Sequence, residues 1–127
     1  MGPKESTLSP DQVIESLKEK IDQLELQKDI ETLKYSNLQI KIGLGEINET
    51  INKTKNNHEV NVAIRAKGKL IGIVEQPENR NKWQDAINTA KKRVDYCDSE
   101  CQQFIWHNSN EDEVNAARRI KRALGRE

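Results

Sequence analysis

The stretch "EVNVAIRAKGKLIGIVEQPE", residues 59–78, lies between two long runs of helical apolar spacing, and its reading decides the fold. Val60, Val62 and Ile64 alternate with polar or small residues, as do Ile71 and Ile73. A period of two fits paired strands with one oily face. A turn at Lys67 and Gly68 sets Ile64 opposite Ile71 and Val62 opposite Ile73, and Pro77 ends the second strand. Residues 58–77 are therefore expected to form a small β-hairpin. An isolated hairpin is marginal in water, so its apolar face should meet helix ends or other subunits.

Upstream, "SPDQ" supplies an N-cap in Ser9, a proline at the first helical position in Pro10, and in Gln12 the partner of a capping box. Residues 1–9 are expected to be disordered and 10–57 to form helix one. Ile14, Leu17, Ile21 and Leu24 are spaced 3, 4, 3, the alternation of a coiled-coil seam. The register then slips near Gln27, and a second seam runs from Leu26 through Ile30, Leu33, Ile40, Leu44, Ile47 and Ile51. Asn37 fills its missing slot. A polar core residue specifies register at a cost in stability, so Asn37→Ile should stabilise an inter-subunit core, whereas a surface Asn37 should be indifferent to it. Gly43 and Gly45 each cost a helix about 1 kcal/mol relative to Ala, which marks 43–45 as a bend or break. No strand precedes this Gly-x-Gly and no Gly-Lys-Ser/Thr follows it, so it does not read as a phosphate loop.

Downstream, residues 78–107 are expected as helix two, with Trp83, Ile87, Ala90, Val94, Cys97, Cys101 and Phe104 spaced 4, 3, 4, 3, 4, 3. Folded back antiparallel on helix one, it would set residue 79 beside 57 and Trp106 beside 30. Residues 30–56 then face helix two, while 10–25 face another subunit or the last helix. That last helix, within 108–127, is capped by Ser109 or Asn110, acidic at its start and basic at its end. Val114, Ala117, Ile120 and Leu124 give it an apolar stripe, and Gly125 closes it.

Hydrophobic residues make up only 34% of the 127 and aromatics 4%, too little for a deep round core and enough for narrow helical seams. Such seams are completed by partners, so a homo-oligomer is expected, a dimer first. No apolar run spans a bilayer and no apolar signal segment opens the chain, which points to an intracellular, cytoplasmic protein without membrane contact. Cys97 and Cys101, one helical turn apart, are the candidate metal ligands, as half of a zinc site. As seam residues they read instead as small hydrophobes, and no metal or cofactor is expected. No catalytic motif is present and the thin core offers no enclosed site, so the chain does not read as an enzyme. Arg118, Arg119 and Arg122 share one broad side of the last helix and are the candidate phosphate contacts for a nucleic acid. Glu111, Asp112 and Glu113 balance them, and no aromatic residues interleave to stack on bases.

The fold class that follows is mainly α: long coiled-coil helices reversing through a small β-hairpin, with a short C-terminal amphipathic helix. The oligomer interface is expected at Leu17, Ile21, Leu24, Ile30, Leu33, Asn37, Ile40, Leu44, Ile47 and Ile51 of helix one, and at Trp83, Ile87, Val94 and Phe104 of helix two. The layout of residues 10–107 is similar to that of prefoldin chaperone subunits, whose helices protrude from a shared β platform. That resemblance implies a holdase for unfolded clients. The function expected from the residues themselves is a non-catalytic coiled-coil oligomerisation or scaffold protein that binds other proteins. The alternative to both is a viral or chromosomal nucleic-acid-associated factor working through the basic last helix.

Overall fold

Ser9 starts the first helix by the mechanism its sequence dictates. Its hydroxyl accepts from the Gln12 amide at 3.2 Å while Gln12 Oε1 accepts from the Ser9 amide at 2.9 Å, with Pro10 at the first helical position. The helix so capped, α1 (Pro10–Lys53), runs 44 residues without interruption. In this computed structural model residues 8–107 and 110–127 are described, and α2 (Asn57–Leu70), α3 (Trp83–His107) and α4 (Glu111–Ala123) complete the chain. A short 3-10 turn, Arg80–Lys82, leads into α3. The expected disorder of residues 1–7 and the alternative cap Ser109 lie outside the described residues. Asn110 caps α4, accepting from the Glu113 amide at 3.0 Å.

The chain is mainly α, but among the described residues there is no strand, so the β-hairpin expected at 58–77 is corrected. Asn56 caps α2 by accepting from the His58 and Glu59 amides, and Val62, Ala63, Ala66 and Leu70 are then fully buried on one helical stripe. The two alanines decide the matter. They have no use in a hairpin face, yet in a helix they let α2 lie close against its neighbours. Ile64, a core residue of the expected hairpin, points outward and is 56% exposed. Residues 71–77 are neither helix nor strand, turning at Ile71 with φ 63°, and their backbone is held by side chains in place of a strand partner. Asn37 Nδ2 donates to the Val74 carbonyl at 2.8 Å and Asn37 Oδ1 accepts from the Val74 amide at 2.9 Å, while Arg93 donates to the Gly72 carbonyl.

Three polar contacts fix the topology. Asn56 Nδ2 donates to Asp112 Oδ2 at 2.7 Å and Gln39 Nε2 to the Leu124 carbonyl at 2.9 Å, which sets α4 antiparallel to α1. Arg80 Nη1 meets Asp29 Oδ2 at 2.8 Å, so α3 begins beside residue 29 and runs parallel to α1. The antiparallel placement expected for this helix, with residue 79 beside residue 57, is thereby corrected. The physical reason is that α2 and the stretch 71–77 have already carried the chain back along α1. The result is an up-down-up-down bundle of four helices.

Its core joins Leu33, Ile40 and Ile47 of α1 to the whole α3 seam from Trp83 to Phe104, and to Ala116, Ala117, Ile120 and Leu124 of α4. Each large aliphatic side chain buried there contributes roughly 1.5–3 kcal/mol. The break expected at residues 43–45 does not occur, and the two glycines differ. A Cβ on Gly43 would stand 2.6 Å from Leu124 Cδ2 and 3.1 Å from Leu70 Cδ2, so its absence lets the ends of α2 and α4 press onto α1. Around Gly45 such an atom would meet nothing within 4 Å. Gly45→Ala should accordingly raise unfolding stability by about 1 kcal/mol, and Gly43→Val should lower it by about 1–3 kcal/mol through overpacking. Urea unfolding followed by circular dichroism checks this, and equal responses at the two positions would contradict the packing.

Candidate functional site

α1 is longer than the bundle it belongs to. Because α3 starts beside Asp29 and α4 ends beside Gln39, no other helix covers residues 10–25, and every residue of that segment is exposed. At 1.5 Å per residue it projects about 24 Å. Ile14, Leu17, Ile21 and Leu24 on it are 50%, 54%, 53% and 66% exposed. The exposed apolar residues do not stop where the bundle begins. Tyr35, Leu38 and Ile42 are 64%, 52% and 49% exposed, although they alternate in sequence with the buried Leu33, Ile40 and Ile47. At about 100° per residue, the outward set and the bundle-facing set lie about 160° apart around the helix. One helix thus carries two apolar faces, one inside the bundle and one in solvent.

The expected interface residues divide between these faces. Leu17, Ile21 and Leu24 belong to the exposed stripe. Leu33, Ile40, Ile47, Trp83, Ile87, Val94 and Phe104 are buried within the single chain, with Ile30, Leu44 and Ile51 packed at the margin of the same core. Their burial needs no second chain. Asn37 is a half-buried clamp on Val74. Tyr35, Leu38 and Ile42 escape a count that assigns α1 a single seam. Their signal is a spacing of seven from Ile14 and Leu17.

Several charged side chains around α4 are engaged with one another. Lys121 Nζ meets Asp98 at 2.6 Å, Arg126 meets Asp95 at 2.7 Å, and Arg119 meets Glu59 at 2.8 Å. The Thr54 hydroxyl, donating to Glu59 at 2.7 Å, and then Arg119 hold that carboxyl below the usual range. Of the three candidate phosphate contacts, Arg119 is therefore ion-paired within the bundle, while Arg118 and Arg122 are exposed, with Arg122 3.9 Å from Glu127. Cys97 and Cys101 are free thiols, both fully buried. The hydrogen bond to Cys101 and then burial push the Cys97 thiol well up, away from the thiolate that a metal needs. Among the described residues no three His, Cys, Asp or Glu side chains gather as a metal site. An open groove of about 660 Å³ runs between α1 and α3, with Tyr35 and Gln39 on one wall and Lys91 and Asp95 on the other.

No family model, curated protein or solved structure matches this chain. The stripe on α1 is the feature that its own geometry singles out.

The Asn37 clamp reverses the sign expected of a core asparagine. Replacing Asn37 with Leu removes two hydrogen bonds and leaves the Val74 amide and carbonyl without them, at a cost of about 1–3 kcal/mol. A thermal melt of Asn37→Leu should show lower stability, and a gain would place Asn37 back in an apolar seam.

Proposed function

We propose that the protein is a non-catalytic association module, a scaffold whose helical bundle holds out one face of α1 for another protein helix to cover. The observation that carries this reading is the exposure of seven large apolar residues along one side of a single helix. Surface apolar residues scattered singly need no explanation, but an aligned set marks an interaction site. Each such side chain brought out of water contributes up to roughly 1.5–3 kcal/mol, so covering even part of the stripe offsets the cost of association. The projecting segment adds reach, and it enters any complex as part of a helix the bundle has already nucleated. No helix among the described residues is long and apolar enough to cross a membrane.

The other two expectations have less beneath them. The arrangement similar to prefoldin subunits depended on a hairpin, and the chain forms α2 and an irregular stretch in its place. For nucleic acid, the pairing of Arg119 with Glu59, and of Lys121 and Arg126 with Asp98 and Asp95, leaves the last helix less basic in effect than its sequence.

The test is migration in extracts of native cells producing either the unaltered chain or Leu17→Glu/Leu38→Glu. Both positions are exposed, so the bundle should stay folded. The unaltered chain should migrate in an assembly larger than its 14.6 kDa, and the variant should fall back to monomer size. Identical migration of the two would contradict association through the stripe.

A further inference from the structure

The outward face of α1 keeps one heptad register, with large apolar side chains at seven of its ten a and d positions from 14 to 45. With Ile14 taken as an a position, the a residues are Ile14, Ile21, Lys28, Tyr35 and Ile42. The d residues are Leu17, Leu24, Glu31, Leu38 and Gly45. All ten are exposed, over about four and a half heptads or about 46 Å of helix. A helix that merely lies on a bundle has no reason to keep a repeat of seven on its solvent side. A supercoiled pair requires one.

We propose that this face is the seam of a parallel, in-register homodimer, with a second copy of the same α1 as its occupant. The inference rests on the association reading above and names the partner. Three features select a second copy in this orientation. The first is core identity: isoleucine at a with leucine at d, as in Ile14, Leu17, Ile21 and Leu24, favours two parallel strands. The second is the pattern of flanking charge. In a parallel pair each g residue faces the e residue five positions on in the other chain, so Lys20 meets Glu25 of the second copy and Lys41 meets its Glu46. No g-to-e pair along the seam joins like charges. In an antiparallel pair g faces g, and the charged g residues from 13 to 48 are Lys20, Lys34 and Lys41, so every charged g-to-g pair sets lysine against lysine. A foreign helix would need this helix only to complement it; here the g and e edges complement each other, which suits a copy of itself. The third is the polar step at Lys28 and Glu31 in consecutive core layers. In register these layers pair Lys28 with Lys28 and Glu31 with Glu31, polar against polar, whereas a slip of one heptad sets each against an apolar layer, so the step fixes the alignment at a cost in stability.

The bundle is compatible with this pairing. Its buried contacts on α1 at Leu33, Ile40 and Ile47 lie about 160° around from Tyr35, Leu38 and Ile42, with Lys28, Glu31 and Tyr35 bordering the groove toward α3, so the two bundles project outward on opposite sides of the paired helices. The exposed thiol count is zero, since Cys97 and Cys101 are both fully buried, and an introduced cysteine therefore reports geometry without background.

The experiment is sedimentation equilibrium of the purified full chain across micromolar concentrations, with Leu17→Cys under oxidised glutathione as the reporter of orientation. The expected mass is twice 14.6 kDa, and Leu17→Cys should form an inter-chain disulfide that the unaltered chain does not. An antiparallel pair would hold the two copies of residue 17 about 25 Å or more apart and give none. Lys20→Glu should weaken the dimer about fivefold, and adding Glu25→Lys should restore it; this pair is used because Glu46 also lies 4.0 Å from Arg119. A monomer throughout, a dimer without the Leu17→Cys cross-link, or a failure of the charge swap to rescue overturns the proposal. A purified monomer that still enters the stripe-dependent assembly in extracts overturns self-pairing alone, and a monomer in both overturns the association reading with it.

Discussion

Everything in this fold depends on the burial of the inner face of α1. Leu33, Ile40 and Ile47 disappear completely against α2, α3 and α4, and the spine so formed is what the other helices share. The covering helices are shorter than the spine, with 14, 25 and 13 residues against 44. A single helix nearly twice as long as any neighbour must leave one end uncovered. Its apolar residues there are left exposed by the other described helices, and the same holds for the side of α1 turned away from the bundle.

The close approach at Gly43 and the clamp at Asn37 serve this burial. α2 ends where Leu70 reaches Gly43, and Leu124 of α4 reaches the same point from the other side, so one missing Cβ lets three helices meet. Beyond that crossing the chain still has to travel back to Asp29 before α3 can start. It does so as an irregular stretch, whose amide and carbonyl at Val74 would otherwise lie against α1 with no backbone partner, and the carboxamide of Asn37 supplies both hydrogen bonds. A position that looks like a hole in a hydrophobic pattern is thus a structural requirement of the path the chain takes.

Much of the local structure was legible in the sequence. The Ser9 capping box, the Asn110 cap and the α3 seam from Trp83 to Phe104 stand as local rules predict, because each depends on residues within a turn or two of one another. The sequence points to a hairpin because Val60, Val62 and Ile64 satisfy a period of two over a segment too short to exclude a period of 3.6, and only Ala63 and Ala66 favour the helix. The direction expected of α3 rests on that hairpin, since a hairpin reverses the chain in place whereas α2 with the stretch after it moves the start of α3 along α1. The outward stripe was half legible. Its first four residues were read as a seam, but two apolar patterns interleaved on one helix look like a single pattern that slips, and Tyr35, Leu38 and Ile42 can be separated from Leu33, Ile40 and Ile47 only once burial is known.

On the proposed association α1 serves two cores, one closed within the chain and one completed from outside. Residue-resolved amide hydrogen exchange along α1, measured on the full chain at several protein concentrations, tests it most directly. The amides of residues 30–50 should exchange at rates set by bundle opening and nearly independent of concentration, while those of residues 10–25 should become progressively protected as concentration rises. Protection of residues 10–25 that stays the same at every concentration would contradict it.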